Sequence, residues 1–257
     1  MPVIRTSHYF SRKDIPLPRA GYVFFYVKKY GIMGYTHADR RELCKGVVIE
    51  EIMDDIIQST IHNLNRNNMA GYYVHSVAQL HEIVQSLIRK DETVGCGDSL
   101  TLEQTGIFDL MRCQNYKFLD KHKPGLSREE KREIYLQNFR ADTFLTSINA
   151  VTTDGNLFNI DGNGSRVAPI LYGPKQVIAV VGTNKIANSV DEAVLRTRQI
   201  AAPLDAKRLG KGTPCTKLNK CIDCHHTQRI CNDFVLITGQ FEKDRIKVIF
   251  IEGNYGF

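Results

Sequence analysis

Cys215, Cys221, Cys224 and Cys231 fall within seventeen residues of a 257-residue chain that holds only three other cysteines. Their spacing is C-x5-C-x2-C-x6-C. The surrounding stretch, 210–233, is rich in Lys, Asn, Thr and Pro and too poor in apolar residues to hold one shape by packing. A shared metal or cluster would fix four chain points at once through deprotonated sulfurs, and Cys221-x2-Cys224 forms the usual two-ligand clip. One clip flanked by single cysteines suits either a [4Fe–4S] cluster or zinc. The cluster ranks ahead of zinc here, and a disulfide pair or four unrelated thiols come last. His225 and His226 adjoin the clip and could replace a thiolate, although solvent-facing loop positions are the simpler reading.

A second candidate is the glycine-rich turn Gly95-Cys96-Gly97-Asp98-Ser99-Leu100-Thr101, which follows a strand pattern and opens a helical one. Backbone N–H groups around Gly95 and Gly97, with the Ser99 and Thr101 hydroxyls, could receive a phosphate or carboxylate. The G-K-[ST] ending of a Walker loop is absent. The competing reading is a tight turn that needs glycine for close backbone approach and serine as a helix cap. Cys96 between the glycines reads as a small buried thiol rather than a nucleophile, because no histidine lies near it in sequence.

These groups need a scaffold, and at 42% hydrophobic the chain can bury a substantial core. No run reaches the roughly 18 apolar residues of a membrane span and the start lacks a signal-peptide succession, so a cytoplasmic protein is expected. Seven cysteines, odd in number and clustered, agree with a reducing compartment. The formal charge of +6 is unevenly placed: residues 1–45 carry nine Lys and Arg against three Asp and Glu, which accounts for all of it. That basic, tyrosine- and phenylalanine-bearing segment could meet nucleic acid. The preferred expectation is a poorly ordered extension over 1–47, or a start-site artefact with the native start at Met53, and nucleic acid is not the expected partner.

From 48 onward apolar residues recur at helical and strand spacing in alternation. Ile49, Met53, Ile56, Ile57, Ile61 and Leu64 place one stripe along a helix. Strands are expected over 72–74, 92–94, 116–119, 143–146 and 176–181, with helices over 77–88, 102–111 and 127–140. Ser76 with Gln79, Ser127 with Glu130, and Ser189 with Glu192 read as helix-start boxes. Thr153-Asp154-Gly155 and Asp161-Gly162-Asn163-Gly164 read as tight turns, and 234–238 with 246–251 as a terminal hairpin. The fold expected is an α/β domain over 48–257, with a mostly parallel sheet flanked by helices, a cysteine-rich loop at 203–233 and a C-terminal hairpin.

The run from Asp142 to Val167, continued by Gly173-Pro174-Lys175 and Val181-Gly182-Thr183-Asn184-Lys185, resembles the lactate-utilisation (LUD) domain family. Gly95 to Thr101, Gly106-Ile107 and the segment from Ala201 to Asn232 resemble its cysteine-bearing branch. The resemblance covers about 49–257. It implies a fold similar to ribose-5-phosphate isomerase, glucosamine-6-phosphate deaminase and the CoA transferases, in which an N-x-x-x-x-D-G-x-x-x-N turn lines the ligand pocket. Asn149, Asp154, Gly155, Asn159, Asp161, Gly164 and Arg166 stand at the matching places. Asp154, Asp161 and Arg166 are thereby candidate catalytic groups, with Asn149, Asn159 and Gly164 candidates for substrate binding. Lys185, just past a strand end, joins the substrate-binding set.

The same resemblance implies a role beside iron–sulfur redox subunits in growth on lactate. No G-x-G-x-x-G fingerprint with a downstream acid supplies a flavin or nicotinamide site, and no glutamate aligns with a CoA-transferase nucleophile. Two readings follow, which differ on whether the chain is itself an enzyme, and either is compatible with an oligomer. One is an accessory or redox component of 2-hydroxy-acid utilisation that binds a small anionic metabolite. The other is a stand-alone isomerase- or transferase-like enzyme with a structural zinc site.

Overall fold

A computed structural model of the protein describes residues 26–27, 31–32, 47–114 and 116–257. The chain separates into two compact units, Met1–Glu51 and Ile52–Phe257. In the first, β1 (Tyr26–Val27) and β2 (Gly31–Ile32) pair antiparallel. The expectation of an extension over 1–47 otherwise falls outside the described residues.

The second unit is built on a six-stranded sheet of β3 (Ala70–Val74), β12 (Ile246–Ile251), β9 (Gln176–Gly182), β6 (Thr143–Thr146), β4 (Thr93–Cys96) and β5 (Lys117–Phe118), in that spatial order. Every pairing in it is parallel. The cause is visible in the central strands, which are apolar on both faces. Val177, Ala179 and Val181 of β9 and Val248 and Phe250 of β12 join one core, whereas Ile178, Val180, Ile249 and Ile251 join the other. Such strands are stable only when both faces are covered.

Helices supply the cover. Ile57 and Leu64 of α1 (Val47–Arg66), with Met53 and Ile61, pack into the first core. Leu80 and Val84 of α2 (Val77–Leu87), Leu102 of α3 (Leu100–Gln104), and Ile107, Phe108 and Met111 of α4 (Ile107–Cys113) fill the second. The helix expected over 102–111 is therefore two. Gly106 adopts the left-handed conformation at φ 68° and breaks it, while the His81 ring bonds the Thr105 carbonyl oxygen at 2.7 Å. Ser127 caps α5 (Arg128–Gln137) with both halves of its box in place.

A four-stranded sheet forms beside the parallel one: β10 (Ile186–Ala187), β7 (Ala150–Thr152), β8 (Leu157–Asp161) and β11 (Asp233–Ile237). The turn at Thr153-Asp154-Gly155 joins β7 to β8 as an antiparallel hairpin. The expected C-terminal hairpin does not form. β11 pairs antiparallel with β8, and β12 runs parallel between β3 and β9. The residues explain the separation, since Ile246, Val248, Ile249, Phe250 and Ile251 are all fully buried and require a central position. In β11, Phe234 and Leu236 are exposed, as an edge strand allows. Among the described residues no helix is long and apolar enough to cross a membrane.

Candidate functional site

After β4 the chain moves outward to β5 and then returns to β6 on the other side of β4. Such a reversal leaves a crevice at the carboxyl ends of the strands, where open α/β sheets bind ligands. A cleft of about 720 Å³ lies there. The turn after β4 contributes Asp98, Ser99 and Thr101, the segment after β6 contributes Ser147 and Asn149, and the segment after β9 contributes Lys185. The β8–α6 loop adds Asp161 and Arg166, where α6 is Val167–Leu171.

The cleft is cationic. Among the described residues Lys121, Arg128, Arg166, Lys185, Arg208, Lys211 and Arg229 line it against three carboxylates, Asp98, Asp161 and Asp205. Asp98 is shared by Lys121 at 3.9 Å and Arg208 at 3.1 Å. Burial works to raise its carboxyl, but those two cations outweigh the burial and hold it below the usual carboxylate range. Lys121 is 6% exposed and stands 5.4 Å from the centre of the Tyr135 ring; burial draws its amine below the usual lysine range against the pull of Asp98. Arg166, Lys185 and Arg229 have no salt-bridge partner among the described residues. An excess of unneutralised positive charge in a concave, partly desolvated site attracts anions.

Arg166 holds the walls together. Its Nη1 donates to the Ser147 carbonyl oxygen at 3.0 Å and to Asn159 Oδ1 at 2.7 Å, and its Nη2 to Asn149 Oδ1 at 3.0 Å and the Ile160 carbonyl oxygen at 2.8 Å. Asp161 is equally engaged: its carboxylate accepts from the backbone N–H groups of Gly162, Arg166 and Val167 and so caps the start of α6. Asn159 is fully buried behind the wall, with its Nδ2 unpaired. Gly164, at φ 76°, turns the loop without facing the cleft.

Asp154 lies elsewhere. It is exposed on the β7–β8 turn and does not line the cleft. Gly155 beside it docks on α1, where a Cβ would lie 2.7 Å from the Asn63 carbonyl carbon and the Leu64 nitrogen. Gly95 and Gly97 also stand behind the wall. The Gly97 N–H is taken by the Leu145 carbonyl oxygen at 2.9 Å, and a Cβ there would meet Arg166 Cγ at 2.9 Å. A Cβ on Gly95 would meet the side-chain oxygen of Asn138. Both glycines thus admit neighbouring side chains, while Ser99 caps α3 and Thr101 faces the cleft. Burial pushes the Cys96 thiol up to about 12, a protonated core thiol.

Lys185 is less exposed than Lys121 or Arg166, the other buried cations of the cleft. It is 3% exposed, and its Nζ donates to Thr101 Oγ1 at 2.7 Å and Ser147 Oγ at 3.1 Å. Burial, aided by the nearby guanidiniums of Arg196 and Arg166, brings its amine down to about 7.

The four clustered cysteines are brought together. Cys215, Cys221, Cys224 and Cys231 all line a second, small cavity of about 20 Å³, with Arg198 and Arg229 at its edge. The Asp223 N–H reaches Cys221 Sγ at 3.4 Å, and Asp223 is left-handed at φ 55°, which turns the clip so that Cys224 joins the same pocket. Thr213 Oγ1 lies 3.2 Å from Cys215 Sγ, and Arg198 Nη2 donates to Cys221 Sγ at 3.7 Å. Burial raises the Cys231 thiol, opposed by Arg229. All four are free thiols. Among the described residues no three His, Cys, Asp or Glu are arranged to hold a metal ion, so the sulfurs form a lining and not a closed ion shell. The donor chemistry, four thiols with N–H donors and guanidiniums beside them, fits a thiolate-ligated group.

No motif singles out Lys121, Asp98, Ser147, Arg208 or Arg229. Asp98 and Ser147 sit inside the 95–101 and 142–167 runs, and the one sequence signal for Lys121 is its place just after a strand.

The molecule is thus an α/β protein with a cationic cleft at the carboxyl ends of a parallel sheet and a thiol pocket beside it. The model of the LUD domain family matches residues 57–251, and the chain belongs to that family. A crystal structure of a DUF162 family protein from Deinococcus radiodurans is similar at 14% identity and a TM-score of 0.46, covering 78% of this chain and 98% of that one. No curated protein matches.

Proposed function

We propose that this LUD-domain protein is an accessory or redox component of lactate or related 2-hydroxy-acid utilisation, holding a small carboxylate in the cleft and an iron–sulfur cluster on the four thiolates. The observation that carries the reading is a shared wall. Ala202, Arg229 and Ile230 line both the thiol cavity and the cleft, so a group at one is one residue's thickness from a ligand at the other. A bound cluster would supply one-electron chemistry there. Cys215, Cys221, Cys224 and Cys231 would hold it, and Arg198 and Arg229 would offset the thiolate charge. Lys121, Arg208 and Lys211 draw in the carboxylate, while Arg166 fixes the loops that shape its seat. Electrons would pass to iron–sulfur redox subunits.

Anaerobic calorimetric titration with lactate, pyruvate and glycolate, against ribose 5-phosphate, tests the cleft. The reading expects the 2-hydroxy or 2-oxo acids to bind in the micromolar to millimolar range, more weakly as salt is raised. The cavity between the sulfurs supports a second reading. About 20 Å³ is room for about one water-sized sphere, closer to a single zinc ion than to a four-iron cube. Binding of the sugar phosphate alone, with zinc on the thiolates, would replace the first reading by an isomerase- or transferase-like enzyme.

A further inference from the structure

Lys185 is a buried amine in the cleft wall with two hydroxyl partners and, among the described residues, no carboxylate in ion-pair contact. Its hydrogen-bond partners suit a neutral amine. Thr101 Oγ1 donates onward to the Tyr255 carbonyl oxygen at 3.3 Å, and Ser147 Oγ donates to Thr101 Oγ1 at 3.2 Å. Both hydroxyls therefore present lone pairs to Nζ. Two acceptors satisfy the two N–H bonds of a neutral amine and leave its lone pair unused. An ammonium would carry a third N–H with no acceptor on the described residues, buried between the guanidiniums of Arg166 and Arg196. A desolvated lysine beside other cations is the arrangement that activates an amine toward carbonyl groups.

We propose that Lys185 is a nucleophile that joins its Nζ to the carbonyl carbon of a small 2-oxo acid in the cleft, forming an imine. The assignment rests on the reading of the cleft as a small-carboxylate site and names the chemistry performed there. The Nζ lone pair forms the C–N bond while the carbonyl π pair moves to oxygen. A proton passes from nitrogen to that oxygen, for which the Ser147 and Thr101 hydroxyls form a relay. A further proton from solvent lets the oxygen leave as water, and the nitrogen lone pair closes the C=N bond as a protonated imine. Loss of that proton leaves the neutral imine, so amine and 2-oxo acid give imine and one water with no change of oxidation state. The protonated imine withdraws electrons from the neighbouring C3, which opens proton exchange at that carbon through an enamine. Gly256 lies over the amine, where a Cβ would sit 2.8 Å from Nζ, so the C-terminal strap screens the nucleophile from bulk water.

The test is reductive trapping on the full-length protein. Protein with pyruvate is treated with borohydride and its peptides are mapped by mass spectrometry, while pyruvate affinity is measured separately by calorimetry. The expected result is a reduced pyruvate adduct confined to Lys185. Yield should rise from about pH 6 to about pH 8 as the amine loses its proton, an equilibrium set first by burial, then by Arg196 and Arg166 against the opposing Asp205. Lys185→Met should reduce trapping to background, and a surface variant, Lys175→Met, should leave it unchanged. Wild-type protein that binds pyruvate but yields no Lys185 adduct, or that is labelled evenly across its lysines, overturns the nucleophile and leaves the carboxylate site standing. Failure to bind any 2-oxo acid removes both.

Discussion

The guanidinium of Arg229 donates to the main-chain oxygen of Cys231 at 2.6 Å, and through its other terminal nitrogen to that of Cys224 at 2.8 Å. The same side chain lines the cleft. One arginine therefore ties the two distal cysteines of the group to the wall of the cleft. Arg229→Ala should lower stability by about 1–3 kcal/mol, because two carbonyls lose a charged donor. It should also weaken both metal retention and carboxylate binding. Thermal unfolding with paired metal analysis and calorimetry checks this, and loss of one function with the other intact would show that the wall does not couple them.

The β7–β8 turn behaves differently in this account. Gly155 has φ 79° and abuts the α1 backbone, so Gly155→Ala should cost about 2–4 kcal/mol through strain and displacement of that contact. Asp154→Asn, on the exposed side of the turn, should change neither stability nor ligand affinity. A large loss of affinity in folded Asp154→Asn protein would place this carboxylate in the chemistry after all.

Lys185 gives a pH-dependent prediction with a definite sign. Its amine stands at about 7 in the folded protein against an ordinary 10.5. Below about 7 the fold must bury an ammonium and carries the full cost. As pH rises from about 7 towards 10.5 the unfolded chain keeps a proton that the folded chain has lost, and the cost is relieved. Lys185→Met removes that cost along with two hydroxyl hydrogen bonds. Its melting temperature relative to wild type should thus be more favourable at about pH 6 than at about pH 9, by roughly 1–3 kcal/mol or several degrees. The same offset at both values would mean that the lysine is not desolvated.

Much of this architecture is legible in the residue pattern, for identifiable reasons. β6 and β12 are recovered at their bounds because both are short runs made mostly of β-branched and aromatic residues, the types that favour strands. The Ser127–Glu130 box marks α5 because its two hydrogen bonds are local. Which strand lies beside which is not local information. β11 and β12 are separated by eight residues and read as a hairpin, yet only their contrast in burial sends one to a sheet edge and the other to the centre. The candidate site divides in the same way. The cysteines declare themselves by spacing, whereas the environment of Lys185 depends on Thr101, 84 positions away, and Ser147, 38 positions away. Asp161 and Arg166 stand in a recognisable motif, but their roles as cap and wall-brace appear only in their hydrogen-bond partners.

The proposed centre on four thiolates beside the cleft is tested by iron, zinc and acid-labile sulfide per chain in protein purified without oxygen. Iron and sulfide should be present in equal amounts in the wild type, with metal content and thermal stability falling together in each of Cys215→Ser, Cys221→Ser, Cys224→Ser and Cys231→Ser. Cys96→Ser and Cys113→Ser, at residues that do not line the cavity, should retain the full content. Zinc without sulfide in the wild type would contradict the redox reading, and the same metal content in wild type and all four clustered variants would contradict a shared centre.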